Sequence, residues 1–293
     1  MINSSALTLI NPQTGNLAFK IFSFEDGSHF DHIQRPNYYS MILIKEGMGK
    51  LKADFTEYDF TAQSLLSFSP YQPYMLTPKA GLKGLVIHFH PDFFCIHKNQ
   101  QEVACNGVLF NNIYQPPFIS FDTQEENKFI DLIGHMTTEM QDSSLAQYEL
   151  LISYLKIFLI TASRIKISQS SEAMTAVSIR KEPFVLQTLK DAIEQHFKTK
   201  HSPSDYAVML NISPKALGKI TKSYFQKTLT DLISERIVIE AKRELYLTSK
   251  PVKIIANELG FGDEYYFSRF FKTNADVSPQ LYRDTVGFAR AEA

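Results

Sequence analysis

Cysteine is nearly absent: Cys95 and Cys105 are the two in the chain, and they form no Cys-x-x-Cys. That excludes a disulfide framework and a cysteine zinc site, and it fits a reducing cytoplasm. Long apolar runs are missing too. The longest, Leu150 to Ala162, is interrupted by Lys156 and falls short of the ~20 residues that a membrane helix needs. No membrane partner is expected. The first basic residue is Lys20, so the charged start of a secretory leader is not expected either. Net charge is small, with 30 Lys+Arg against 31 Asp+Glu.

What is present is an ordinary globular composition, with 44% hydrophobic and 21% charged residues. At ~150 residues per domain, 293 residues suggest two domains. The balanced charge hides an asymmetry. Residues 183–293 hold 16 Lys/Arg and 13 Asp/Glu, a net of +3, and residues 1–182 hold 14 and 18, a net of −4. Clustering of cations matters more to nucleic-acid binding than the total.

The N-terminal third reads as β. Tyr39 to Ile44, Tyr58 to Phe60, Ser64 to Phe68 and Leu82 to Phe89 are short β-rich runs, punctuated by Gly47, Pro70, Pro73 and Pro78. Such spacing predicts a sandwich or barrel. The middle turns helical. Phe129, Leu132, Ile133, Met136 and Met140 recur at helical spacing, and a second helix runs from about 147 to 166. Leu151, Tyr154, Leu155 and Phe158 give this second helix an apolar stripe that calls for a cover, by its own domain or by a partner subunit, and a homodimer through that stripe is expected. Residues 167–182 contain Ser168, Ser170, Ser171 and Ser178 without an apolar period, and read as a linker.

From residue 183 on, every segment reads as helix. Ser202-Pro203, Ser213-Pro214 and Ser278-Pro279 are start signals, with Ser as N-cap and Pro at the first helical position. Two helix–turn–helix units emerge. The first is Ser204 to Leu210, then Pro214 to Phe225; the second is Val252 to Leu259, then Asp263 to Thr273. A spacer helix from about 229 to 247 lies between them, ~28 Å long at 1.5 Å per residue. Successive major grooves on one side of a duplex lie ~34 Å apart, so a spacer of that size suits two recognition helices in one DNA site. In the second unit Phe267, Phe270 and Phe271 point inward, which leaves Glu264, Tyr265, Ser268, Arg269 and Lys272 for base edges and phosphates. The first unit exposes Lys215, Lys219 and Lys222, with Gly218 among them, a set suited to gripping phosphates.

These residues carry a resemblance. Arg236-Ile237 ahead of Glu240-Ala241-Lys242-Arg243, Ile254 to Phe261, Tyr266-Phe267-Ser268-Arg269-Phe270-Phe271-Lys272, Val277-Ser278-Pro279 and Tyr282-Arg283 resemble the DNA-binding domain of the AraC/XylS family of bacterial transcription regulators. The likeness spans about 184–287. Where that family usually has Phe this chain has Thr221, and where it usually has Gly this chain has Asn211 and Asp276, two residues that tolerate left-handed turns. The N-terminal part resembles the family's cupin-like sensor and dimerisation domain at Glu46-Gly47-Met48-Gly49, Ser64 to Pro70, and Phe89 to Phe94.

The resemblance implies an α+β protein of two domains. A cupin-like β-barrel (about 16–100) with two packing helices (about 124–166) makes the first domain, 1–166. An all-α domain with two helix–turn–helix motifs makes the second, 183–293. It implies a cytoplasmic regulator that binds double-stranded DNA as a homodimer, takes a small-molecule effector at Arg35, Tyr74 and His88, and contacts RNA polymerase. No cofactor, metal or catalytic residue is expected. His88 and His90 share a strand face, as a metal pair would, but Tyr74 stands where a further His is usual, so they read as structural or pocket-lining. Two alternatives remain: a metal-dependent cupin enzyme fused to a DNA-binding domain, and a regulator whose cupin-like domain only dimerises.

Overall fold

In the computed structural model the described residues are 6–79, 81–141, 145–176 and 184–286. The chain divides into two units, one of Met1–Asn112 and Pro116–Ser168, the other of Ile113–Gln115 and Gln169–Ala293.

The first unit begins with strands β1 (Leu7–Ile10), β2 (Leu17–Phe24), β3 (Tyr39–Glu46), β4 (Met48–Ala53), β5 (Thr56–Thr61), β6 (Ser64–Phe68), β7 (Tyr74–Pro78) and β8 (Lys83–Phe89). A short helix α1 (Gln100–Val103), strand β9 (Phe118–Ser120) and helices α2 (Thr123–Gln141) and α3 (Gln147–Ala176) follow. The strands form two antiparallel sheets, one ordered β1-β2-β8-β3-β6-β9 and the other β5-β4-β7.

Alternation of side chains along a strand decides what each face meets. In β3, Ile42 and Ile44 join Leu51, Phe60, Tyr74 and Leu76 in a core between the sheets. Met41 and Leu43 of the same strand face the other way, into a core shared with α2 and α3. Both faces of the larger sheet are therefore covered, which is why β6 is buried throughout and β3 is buried from Tyr39 to Ile44. Strand β4 alternates exposed and buried residues, since one of its faces meets water.

The helical stripe needs a correction. Leu151, Leu155 and Phe158 are fully buried in the core of their own unit; Phe158 packs on Phe129 of α2 at 4.8 Å between ring centroids. Tyr154 is half-buried and stacks on His135. Intrachain packing accounts for the stripe, and those three residues are not a free dimerisation face. The linker expectation is also corrected in part. Helix α3 continues through residue 176, because residues 167–176 hold neither Gly nor Pro and a polar run alone does not end a helix. Residues 177–182 of the expected linker lie outside the described residues.

The second unit holds α4 (Phe184–His196), α5 (Pro203–Met209), α6 (Pro214–Phe225), α7 (Leu229–Leu247), α8 (Val252–Glu258), α9 (Glu264–Ala275) and α10 (Pro279–Val286). Helix α7 is its axis. It packs against α4, α6, α8, α9 and α10, and it buries Leu232, Ile233, Ile237, Ala241 and Leu245. Thr228 opens it with a capping box, its hydroxyl accepting from Asp231 N while the Asp231 carboxylate accepts from Thr228 N.

Candidate nucleic-acid interface

Helices α6 and α9 are both 12 residues long, and their bounds differ by 50 throughout. The turns that precede them share one hydrogen-bond pattern. Ile212 N donates to Ala207 O at 3.0 Å, and Phe261 N donates to Ala256 O at 2.9 Å. In each turn the residue before that donor is left-handed: Asn211 at φ 54° and Gly260 at φ 80°. These are the six-to-one bond and left-handed residue that end helices in a Schellman turn. The second turn is one residue longer, with Gly262 inserted before the cap.

Caps then start both helices. The Ser213 hydroxyl accepts from Ala216 N at 3.2 Å, and the Asp263 carboxylate accepts from Tyr265 N and Tyr266 N at 3.2 and 2.8 Å. At their far ends Gln226 and Asp276 are both left-handed. Asn211 and Asp276 thus supply the conformation that Gly would supply. Buried positions repeat as well, Leu217 with Phe267 and Thr221 with Phe271. Thr221 stands in the place of a Phe, is fully buried, and returns its hydroxyl to Gly218 O at 3.0 Å, so the smaller side chain leaves no polar atom unpaired there.

The opposite faces carry the expected contact residues. On α6, Lys215, Lys219 and Lys222 are exposed and Gly218 is half-buried between them. On α9, Tyr265, Arg269 and Lys272 are exposed, and Glu264 and Ser268 are half-buried. Through the offset of 50, Lys219 corresponds to Arg269, Lys222 to Lys272, Lys215 to Tyr265 and Gly218 to Ser268. Tyr266 is a further candidate that periodicity passed over. It is 56% exposed and its ring lies 5.7 Å from that of Phe261. Its position beside Phe267 was legible; its exposure was not.

Charge separates two kinds of cation in this unit. On and around α7, Glu240 takes Arg243 at 2.8 Å, Arg236 at 3.3 Å and Lys198 at 3.4 Å. Lys250 bridges Glu244 at 3.0 Å and Glu258 at 2.6 Å. Burial alone would push Glu240 up, but the hydrogen bond and charge of Arg243, with Arg236 and Lys198, hold its carboxyl down at about 2. Among the described residues, Lys215, Lys219, Lys222, Arg269 and Lys272 enter no ion pair. Five cations on two repeated helix faces lack an acidic partner and remain available to phosphates and base edges.

Two capped helix–turn–helix units with unpaired basic faces define a class, the DNA-binding helix–turn–helix domains. Residues 206–285 match a family described as a helix-turn-helix domain. The chain is 24% identical over 166 residues to the raffinose operon transcriptional regulatory protein RafR of Pediococcus pentosaceus, covering 57% of this chain and 55% of RafR. It is 29% identical over 99 residues to the regulatory protein SoxS of Escherichia coli K12, covering 34% of this chain and 92% of SoxS. Among solved structures, the C-terminal domain of AraT, a response regulator from Geobacillus stearothermophilus, is 26% identical, covers 38% of this chain and 91% of that chain, and superposes with a TM-score of 0.36. Through this domain the chain is similar to regulators of the AraC/XylS type. It spans about half the length of RafR.

In the first unit the three expected effector residues separate. Tyr74 and His88 both border Ser40 on the inner face of the larger sheet: the Tyr74 hydroxyl donates to Ser40 Oγ at 3.3 Å, and Ser40 pairs with His88 across β3 and β8. Arg35 is exposed on the loop ahead of β3, outside that row. His90 engages Asp92, with Nδ1 3.5 Å from the carboxylate. Among the described residues no three His, Cys, Asp or Glu side chains converge as a metal set would. Cys95 and Cys105 are buried, unbridged thiols.

Proposed function

We propose that this chain regulates transcription by setting α6 and α9 into successive major grooves of one operator, under the control of a small-molecule effector in the first unit. The repeat of an unpaired basic face at an offset of 50, on either side of α7, is the observation that carries it. The α7 axis of 19 residues, ~28 Å long, suits neighbouring grooves ~34 Å apart. One chain then spans two half-sites that helix–turn–helix proteins usually divide between two subunits. Arg269 and Ser268 are base readers in this reading, and the lysines of α6 grip phosphates.

The two sheets are read as the halves of a cupin-like barrel, with Tyr74 and His88 on the effector. The protein acts in the cytoplasm as a homodimer and contacts RNA polymerase. The dimer face is assigned to the exposed side of α3, where Leu150 and Ile157 are 40% and 49% exposed and flank Tyr154. Sequencing the DNA fragments that the full chain retains from a random pool tests the operator reading. The expected motif has two boxes about 10–10.5 bp apart, centre to centre, within one site. A motif with a single box, or no enrichment, overturns the two-groove arrangement.

A further inference from the structure

The two helix–turn–helix repeats differ where a third segment of chain meets the first of them. Through the offset of 50, Leu217, Thr221 and Phe225 on the inward stripe of α6 correspond to Phe267, Phe271 and Ala275 on that of α9. The stripe of α9 is buried to its end, with Ala275 1% exposed, and Phe271 meets Tyr282 of α10 at 5.8 Å between ring centroids. In α6 the order of sizes is reversed. Thr221 is fully buried, and the bulk falls on Phe225, which is half-buried. Two residues on, the first repeat has Lys227 where the second has Val277.

Both departures serve one tripeptide. Ile113–Gln115 belongs to the second unit, although it lies in the chain between α1 and β9. The Tyr114 ring lies 5.8 Å from that of Phe225, and the Lys190 ammonium of α4 stands 5.8 Å from the first ring and 5.7 Å from the second. The Tyr114 hydroxyl donates to one oxygen of Glu194 at 3.1 Å, and Arg236 of α7 donates to the other at 2.7 Å. Burial, with the Glu194 charge beside it, pushes the Tyr114 phenol up, so it stays a donor. Lys227 is buried, pairs with Glu235 at 2.7 Å and donates to Ile113 O at 3.2 Å. A buried ammonium needs such partners, and the apolar Val277 at the corresponding place needs none. The Gln115 amide donates to Ser170 Oγ at 2.9 Å. Directly after the tripeptide, Lys166 donates to Pro116 O and Phe118 O at 2.7 and 2.6 Å, so the chain that leaves it is pinned within the first unit.

We propose that Ile113–Gln115 is a releasable brace of α6. Docked, it completes the inward stripe of the first repeat and holds α6 in place for DNA; withdrawn, it loosens α6 while α9 stays formed. The first repeat is the receptor, and a segment of this same chain is its partner. Lys215, Lys219 and Lys222 stay exposed while the tripeptide is docked, so the brace supports α6 without covering its cations. Because the tripeptide is covalently continuous with the first unit at both ends, a rearrangement there reaches one DNA box and spares the other. That effect on DNA rests on the two-groove reading above, whereas the brace itself does not.

The test uses the full chain. Amide hydrogen exchange of α6 and α9 is compared in wild type, Tyr114→Ala and Tyr114→Phe without DNA. Exchange reports local opening, so Tyr114→Ala is expected to speed the α6 amides by roughly tenfold and to leave the α9 amides at their wild-type rates. Tyr114→Phe keeps the ring beside Phe225 and Lys190, loses the bond to Glu194, and is expected to fall between the two. If Tyr114→Ala does not fold, Tyr114→Leu, which also removes the ring, takes its place. Affinities are then measured on the operator recovered from the random pool and on copies with one box scrambled, the α9 box being the one whose preference Arg269→Ala relaxes. Scrambling the other box is expected to weaken the wild type and to leave Tyr114→Ala nearly unaffected, whereas scrambling the α9 box weakens both. Unchanged α6 exchange in Tyr114→Ala, or α6 and α9 amides that speed up together, overturns the brace. Selective loosening of α6 with both boxes still read overturns its control of DNA and leaves the brace standing. A motif with a single box overturns the two-groove reading, and exchange alone then decides the brace.

Discussion

Arg269 and Lys272 lie three residues apart on α9, and their chemistry assigns them different work. A guanidinium can hold a guanine edge with two parallel hydrogen bonds, whereas an ammonium acts as a point charge on a phosphate. Arg269→Ala is expected to cost ~1–3 kcal/mol on operator DNA and to narrow the gap between operator and random DNA. Lys272→Ala is expected to weaken both DNAs alike and to lower the slope of log affinity against log salt by about one unit. Salt titrations of both variants on both DNAs check this; an equal loss on both DNAs for Arg269→Ala moves base reading to Tyr265, Tyr266 or Ser268. Two glycines divide in a similar way. A Cβ at Gly218 meets nothing within 4 Å, so Gly218→Ala should stabilise the domain by ~0.5–1 kcal/mol while its methyl group, on the face proposed to meet DNA, is expected to weaken operator binding. A Cβ at Gly260, at φ +80°, meets Lys198 O at 2.1 Å, so Gly260→Ala should destabilise by at least ~1–2 kcal/mol. Denaturant unfolding and operator titration of the two variants separate them. A Gly218→Ala protein with unchanged affinity removes Gly218 from the contact set.

Helix α3 shows how one element divides its faces. Leu151, Leu155, Phe158 and Ala162 form the buried side at a spacing of three to four residues. Leu150 and Ile157 lie on the other side and remain exposed. Leu155→Ala is therefore expected to cost ~2–5 kcal/mol, as large-to-small changes in a core do, without changing the assembly mass. Ile157→Glu is expected to leave the fold intact and to halve the mass seen by light scattering. Dimeric Ile157→Glu would remove α3 from the dimer face. The wide apolar composition of this segment was plain in the chain, but which side met the sheet was not, because apolar residues occupy nearly the whole circumference. In α6 and α9 the division was legible, since lysines and arginine alternate with apolar positions at helical period and Ser213 and Asp263 mark the starts.

The ion-pair network around α7 sets a pH dependence for the second unit. The carboxyl of Glu240 is held at about 2 against an ordinary 4.5. A carboxyl whose folded pKa lies below its unfolded one contributes stability above the unfolded value and loses it as pH falls toward the folded one. Stability should therefore decline between about pH 4.5 and 2, and Glu240→Gln should flatten that decline while lowering stability at pH 7; thermal unfolding across this range measures both. An identical acid limb in Glu240→Gln assigns the loss to other carboxyls. Across the molecule, local chemistry read from the chain located the two helix–turn–helix units, their caps, the spacer α7 and the basic faces, because capping, left-handed turns and helical periodicity act within a few residues. Strands β3, β5, β6 and β8 were visible for the same reason. Strands β1, β2, β4, β7 and β9 were not, since they are short or half-polar and exist through pairing with partners distant in sequence. The register that puts Lys20, His88, Ser40 and Phe68 in one row, the burial of His88, and the division of α3 into core and surface arose only when segments far apart in the chain were packed against one another.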